Sequence, residues 1–161
     1  MSAPEKLGKQ NNLTEQETAE LVGILPAELN FFADSLFWKR LREVEKLLPL
    51  TRKILAGDFE KYFREFANRF LPETIKKHQE DAIEFAAFLQ SKKLEPDWAK
   101  DAAKFEQAKL EFYGLSKPFV LRFFDYNVKE IFRQAAMPPS EIRKKKTFVV
   151  WLRIGKREIV F

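Results

Sequence analysis

The spacing of apolar residues changes once along this chain, near Gly114, and the change limits the folds that the chain can adopt. Before Gly114, apolar residues recur every three or four positions, as in the series Phe59, Phe63, Phe66 and Phe70. After it, apolar residues alternate with other residues, as in Phe119, Leu121 and Phe123. The first spacing is typical of a helix with one buried face, and the second of a strand. The chain therefore predicts an α+β fold, in which a bundle of about six helices precedes a small C-terminal antiparallel sheet.

Capping residues, prolines and glycines divide the helical part into segments. Thr14 and Glu17 have the spacing of a capping box and predict the first helix start. Pro26 begins a long helix that ends before Pro49, and Gly57 ends a short helix after it. The remaining helices are predicted over residues 58–71, 75–90 and 97–114.

The C-terminal part is predicted to contain a strand, a short helix and a hairpin. The strand covers 118–125 and the helix 128–137. Gly155-Lys156 is a two-residue loop with glycine at its first central position, which favours a tight hairpin between the flanking apolar runs. We expect a flexible N-terminus over 1–12 and a single domain over 13–161, with a helical body at 13–114 and the sheet region at 115–161.

Positive charge is concentrated at the C-terminal end. Residues 1–138 hold 22 Lys/Arg and 22 Asp/Glu, so residues 139–161 carry the whole formal net charge of +5. Cations beside aromatic and β-branched residues indicate a surface for a nucleic acid or another partner. The candidate contact residues are Arg143, Lys144, Lys145, Lys146, Val149, Trp151, Arg153, Lys156 and Arg157.

Two interpretations of this basic segment remain open. The cations could neutralise phosphates while Phe148 or Trp151 stacks on an unpaired base. Alternatively, they could keep an edge strand from aggregating, while the row Phe148, Val150, Leu152 and Ile154 turns inward. The opposite row, with Val149 and Trp151, is core if helices cover both faces of the sheet, and a docking patch if one face is bare.

Catalytic chemistry finds little support in the sequence. Cysteine is absent, His78 is the only histidine, and five glycines leave little material for a phosphate-binding loop. The acidic groups Glu80, Asp81, Glu84 and Asp97, Asp101 have lysines nearby and are predicted to be solvated ion pairs. We therefore expect no enzyme, no cofactor, no metal and no membrane segment, and a cytoplasmic location.

Two motifs carry a family resemblance. In LPLTRKILAGDFEKYFREFANRF, residues 48–70, a helix-ending proline precedes two basic residues, a glycine and an aromatic helix. The positions concerned are Pro49, Arg52, Lys53, Gly57 and Phe59. In DAAKFEQA, an acidic residue is followed by alanine and a glutamate, at Asp101, Ala103 and Glu106. With EFAAFL at 84–89 between them, these motifs resemble a bacterial family labelled as a DNA-binding domain.

The resemblance spans residues 30–112, and it is strongest to small stand-alone members with a C-terminal strand run such as TFVVWLRIGKR. Some longer relatives look like adaptors that lie beside a metal-dependent oxidase and help to hold a peptide substrate. The resemblance thus implies either an adaptor role or DNA binding. Independently of it, Glu106 lies next to Phe105 on the core-facing arc of its helix, so we expect it to be a buried partner of a cation or a backbone amide.

Together these observations predict a non-catalytic protein-interaction or adaptor domain with a protein partner. The alternative is a DNA- or RNA-binding regulatory protein that uses the basic C-terminal segment. The oligomeric state remains open.

Overall fold

The structure, a computed structural model, describes residues 26–72, 77–135, 142–155 and 157–161, together with Thr14 and Gln16. By its internal contacts the chain divides into two compact units, Met1–Lys39 and Arg40–Phe161. Residues 1–12, which the sequence predicts to be flexible, and nearly all of the helix predicted after Thr14 lie outside the described residues. The single domain expected over 13–161 therefore stays a prediction.

The described residues form six α-helices and three strands, which confirms the α+β fold. The helices are α1 (Pro26–Leu47), α2 (Pro49–Leu55), α3 (Gly57–Ala67), α4 (Lys77–Gln90), α5 (Ala99–Lys109) and α6 (Val128–Gln134). The strands are β1 (Phe119–Tyr126), β2 (Lys144–Ile154) and β3 (Arg157–Val160). A π-helical turn, Leu110–Gly114, continues α5, where a single helix to Gly114 was predicted.

In the first unit, the described part of α1 exposes several rings. Phe31 and Phe32 are exposed, and Phe37 is half-buried and packs edge-on against Trp38 with ring centroids 5.4 Å apart. In the second unit the same helix contributes Leu41 and Val44 to the core, and Leu48, which follows its last residue, is also buried.

The core of the helical part of the second unit is aromatic. Phe59 and Phe63 of α3 each pack edge-on against Phe85 of α4, with ring centroids 5.1 Å apart. Phe66 lies 5.4 Å from the same ring. Phe59, Phe63, Phe66 and Phe85 are buried, so the first three members of the predicted series form a core stripe, while Phe70 is half-buried. Each ring contributes on the order of 2 kcal/mol to stability by its burial.

The sheet has the order β1-β2-β3, and both pairs are antiparallel. The register shifts between Phe124 and Tyr126, where the ladder with β2 contains a bulge. Gly155 connects β2 to β3 with φ of 61°, a conformation that glycine adopts without strain, and this confirms the predicted hairpin. Its second loop residue, Lys156, lies outside the described residues.

Buried carboxylates join the helices to one another and to the sheet. Asp81 is fully buried and accepts two hydrogen bonds from the Arg40 guanidinium, at 2.7 and 3.0 Å. Asp101 is buried and accepts from the backbone N–H groups of Asp125 and Tyr126, at 2.7 and 2.8 Å. The prediction that Asp81 and Asp101 belong to solvated ion pairs is wrong, because donors from other elements replace the water that burial removes.

Candidate interaction surface of the C-terminal sheet

One face of the sheet, the inner face, packs on the helices. Val120, Phe124 and Trp151 are buried there in a cluster that includes Phe112 of the π-helical turn. Val149 is half-buried and packs against the same cluster. Trp151 is therefore a core residue, which corrects its expected place among the partner contacts.

The expectation that Phe148, Val150, Leu152 and Ile154 turn inward is also wrong, since Phe148 and Ile154 are exposed. The inner row of β2 contains Arg153, a charge that the sequence pattern assigns to solvent. In the structure its guanidinium lies 4.9 Å from the centroid of the Phe112 ring and donates to Glu158 at 2.9 Å. Pairing and stacking thus let a cation lie on the covered face.

The opposite side of the sheet, which we call the outer face, is apolar on all three strands. Cross-strand partners share a face, and the pairs Phe119 with Leu152, Leu121 with Val150 and Phe123 with Phe148 join β1 to β2. Leu152 is in turn opposite Ile159, and Val150 exchanges backbone hydrogen bonds with Phe161. The outer face therefore consists of Phe119, Leu121, Phe123, Phe148, Val150, Leu152, Ile154, Ile159 and Phe161.

Much of this apolar surface is accessible to solvent. Phe123 is 67% exposed, Phe148 is 60% exposed and Phe161 is 72% exposed. With Phe119, the four rings alone expose an area on the order of 500 Å². That area lies toward the upper end of the largest apolar patch that a monomeric protein usually carries, about 300 to 600 Å², and such patches often have a function.

Cations lie at both ends of the outer face. Strand alternation puts Lys146 on the same side of β2 as Phe148, and Arg157 pairs with the outward-facing Ile154 at the other end. Arg143, Lys145, Lys146 and Arg157 are exposed, and the salt bridges among the described residues do not include them.

Two of the predicted contact cations are engaged within the protein. Lys144 lies 3.4 Å from the Asp97 carboxylate and 5.7 Å from the centroid of the Tyr126 ring. Its hydrogen bond to Asp97 and the charges around it raise the pKa of the Lys144 ammonium. Arg153 is held by Glu158 and Phe112, as described above. The remaining candidate cation, Lys156, lies outside the described residues.

The first family-like motif forms the joint between α1, α2 and α3. Pro49 is the first residue of α2, and Gly57 begins α3. Arg52 donates to the Glu45 carboxylate at 2.6 Å and to the Ala56 carbonyl at 2.7 Å, while Lys53 is exposed. Phe59 belongs to the core. Pro49, Gly57 and Phe59 thus begin or pack a helix, and Arg52 joins α2 to Glu45 of α1.

The second motif meets the first through Glu106. Its carboxylate accepts hydrogen bonds from the backbone N–H groups of Leu50 and Thr51, at 2.8 and 2.9 Å, and from the Thr51 hydroxyl at 2.7 Å. Burial raises the pKa of the Glu106 carboxyl, and these hydrogen bonds oppose the shift. Because the N-terminal amides of a helix lack partners within it, Glu106 caps α2. The predicted backbone-amide partner is confirmed.

Asp101 performs a similar task for the sheet. It lies on α5 and binds the edge of β1, and burial raises the pKa of the Asp101 carboxyl against the effect of its two backbone donors. Glu111 of the π-helical turn binds Arg122 of β1 and Lys117, both at 2.8 Å. These carboxylates hold α5 and the turn against the inner face, and this leaves the outer face uncovered.

Within the described ranges, no three histidine or acidic side chains come together as a set of metal ligands. His78 is exposed at the start of α4. None of the described helices combines the length and the apolar composition needed to cross a bilayer.

Compared with models of known protein families and with curated proteins, the chain matches none of them. The family resemblance of residues 30–112 therefore remains a hypothesis.

Of the rings of the outer face, the sequence analysis named only Phe148 as a candidate contact, for stacking on an unpaired base. The alternation of Phe119, Leu121 and Phe123 was visible in the sequence, but both rows of β2 are rich in apolar residues. The choice between the rows depended on the partners of Arg122 and Arg153, which are distant in sequence.

Proposed function

We propose that this protein is a non-catalytic interaction or adaptor domain that docks a protein partner on the outer face of its sheet. The observation that carries the proposal is the contiguous apolar outer face, where exposed phenylalanines lie on β1, on β2 and directly after β3. Interfaces are enriched in aromatic side chains at their centre and in arginine, and they have a polar rim. The outer face has rings at its centre and cations at its ends.

The resemblance to a bacterial family with adaptor-like members agrees with this role. A domain of this kind would act in the cytoplasm. The residues of this chain that contact the partner would differ from those expected from the sequence. Trp151 is buried, and the exposed rings of Phe123 and Phe148 would make the contacts instead.

A pull-down from a lysate of the source organism tests the proposal. The tagged full chain should retain a stoichiometric protein partner, and the double substitution Phe123→Ser and Phe148→Ser should abolish it while the far-UV circular dichroism stays unchanged. Phe32→Ser is the matched control, since Phe32 is 62% exposed but lies on α1. Retention of the partner by the double variant would refute the outer face as the docking surface.

Nucleic-acid binding is the second candidate, and one observation favours it. The Phe123 and Phe148 rings lie 6.4 Å apart on the outer face, close to the exposed Lys145 and Lys146 in sequence and on the same strand end. Exposed rings beside cations are typical of surfaces that stack single-stranded bases.

A salt titration separates the two candidates. If the basic segment binds nucleic acid, the affinity for a generic single strand should fall steeply between about 50 and 200 mM salt, and Lys144→Ala, Lys145→Ala and Lys146→Ala together should flatten that slope. An unchanged slope would exclude the basic segment as the phosphate-binding surface.

A further inference from the structure

Strand β2 has an edge that β3 does not cover. β3 pairs with β2 over Trp151–Ile154, and Phe161 exchanges hydrogen bonds with Val150 at 3.0 Å in both directions. Among the described residues, no strand pairs with this side of β2 before Val150. Within the described residues, the edge of β2 from Lys146 to Val149 has no strand partner on the side where β3 lies, and we call it the open edge.

The ladder fixes which backbone groups face this edge. Val150 bonds to Phe161, whereas Arg153 donates to Pro118 on the β1 side. Directions alternate along a strand, so residues at even spacing from Val150 share its direction. The N–H and C=O groups of Phe148 consequently point toward the open edge, and those of Thr147 and Val149 toward β1.

The C-terminal end of the other sheet edge, on β1, is covered by α5. The Asp101 carboxylate accepts the N–H groups of Asp125 and Tyr126, and the Lys104 ammonium donates to the Phe123 carbonyl at 3.2 Å. By contrast, the β2 edge is accessible, because Phe148 is 60% exposed and Lys145 and Lys146 are exposed.

We propose that the open edge of β2 accepts an extended, acidic segment of a partner protein as an added strand. This inference rests on the proposed function and specifies the partner. The added strand would bond to the Phe148 backbone, and every second side chain would lie on the outer face beside Phe148 and Phe161. Its acidic residues would lie near Lys145, Lys146 and Arg143, whose charges have no salt bridge among the described residues.

The charges favour such a segment over a second copy of this chain. If two copies paired through their β2 edges, the runs Lys144–Lys146 of both copies would lie within one short ladder, and their combined positive charge would oppose pairing. A nucleic acid would satisfy the cations but has no peptide groups with which to extend a ladder.

Fluorescence anisotropy with a labelled synthetic peptide tests the proposal. In the probe, valine alternates with threonine and one end carries a run of glutamates; a second probe carries lysines instead. The full chain should bind the glutamate probe and bind the lysine probe at least about tenfold more weakly, since each lost charge-assisted contact weakens binding by roughly that factor.

Two substitutions at Phe148 separate the contribution of its backbone N–H group to peptide binding from that of its ring. Phe148→Ala and Phe148→Pro both remove the ring, but only proline removes the N–H group that faces the edge. We expect Phe148→Pro to bind the glutamate probe about tenfold more weakly than Phe148→Ala, as the loss of one interfacial hydrogen bond predicts. Circular dichroism and thermal melting of both variants verify that the sheet remains folded. If Phe148→Pro unfolds, a probe that is N-methylated at alternate residues replaces it and should lose binding by the same factor.

Several results would overturn strand addition. Equal binding by the two Phe148 variants, no binding of the glutamate probe, or tighter binding of a single-stranded oligonucleotide than of the peptide would each do so. A dimer detected by light scattering and lost on Phe148→Pro would assign the edge to a second copy. A pull-down partner lost on Phe123→Ser but kept by Phe148→Pro would leave the proposed function intact and refute only the added strand.

Discussion

The two faces of the C-terminal sheet are similar in sequence and opposite in environment. On the inner face, Trp151 is 1% exposed and Phe124 is equally covered. On the outer face, Phe123, which directly precedes Phe124, and Phe148, which lies on the same strand as Trp151, are mostly exposed. An apolar row in a strand therefore indicates a face that is buried against another surface. It does not indicate whether that surface is the protein's own core or a partner.

The difference between the faces arises from polar contacts made by the helices. Asp101 fixes α5 to the edge of β1, and Glu111 fixes the π-helical turn to Arg122 on the inner face. Because these carboxylates are buried and bonded, they define on which side of the sheet the helices lie. The residues that form the outer face are all apolar, so they offer no carboxylate that could hold a helix against that face.

The test with the largest expected effect on stability compares two side-chain truncations, one on each face of the sheet. Trp151→Ala should lower the free energy of unfolding by about 3 to 5 kcal/mol, because it leaves a cavity on the inner face. Phe148→Ala should lower it by less than about 1 kcal/mol, the size of a cross-strand contact. Urea unfolding followed by circular dichroism measures both. Equal losses would show that the outer face belongs to the core.

A second test concerns the carboxylate that joins α5 to the sheet. Asp101→Ala should lower the free energy of unfolding by about 1 to 3 kcal/mol, because the buried N–H groups of Asp125 and Tyr126 lose their acceptor. Asp97→Ala is the control and should cost less than about 1 kcal/mol, since Asp97 is exposed and its ion pair with Lys144 is solvated. A larger loss from Asp97→Ala would contradict the assignment of Asp101 as the anchor.

A third test uses the pH dependence of Glu106. Burial raises its pKa above the ordinary value of 4.5, so the folded state retains this proton to higher pH than the unfolded state. The stability that Glu106 contributes is then complete below about pH 4.5 and declines as the pH rises through the folded pKa.

Glu106→Gln does not titrate at this position and retains Asp101, whose raised pKa affects both proteins alike. The difference in free energy of unfolding between wild type and Glu106→Gln should therefore shrink from about pH 4 to about pH 8. Urea titrations across this range measure it. A difference that grows with pH would mean that the three hydrogen bonds at Glu106 outweigh its burial.

The smallest expected effect on stability belongs to the outer face. The double variant Phe123→Ser and Phe148→Ser should change the free energy of unfolding by no more than about 1 kcal/mol. It should also lower the fluorescence of a dye that binds exposed apolar surface, and Phe32→Ser provides the matched comparison. Undiminished fluorescence would mean that the outer face does not bind the dye, and hence that it is not the accessible apolar surface.

The local sequence patterns predicted the helices and strands well, but they predicted less well which faces of these elements are buried. The spacing of Phe59, Phe63 and Phe66 identified a buried helix face, since a helix of this amphipathicity has one stable orientation. Gly155 identified the hairpin because few residues accept its conformation. Whether Trp151 is buried stayed open, because both rows of β2 are rich in apolar residues and each predicts the strand equally well.

The sequence alone determined the order of the elements, the aromatic core of the helical part and the concentration of positive charge at the C-terminal end. These properties depend on neighbours within a few residues, through periodicity, capping and composition. The tertiary structure decided which face of the sheet is covered, which carboxylates are buried and which cations remain exposed. Each of these depends on partners far apart in the chain, such as Glu106 with Thr51 or Asp101 with Tyr126, whose proximity no local pattern encodes.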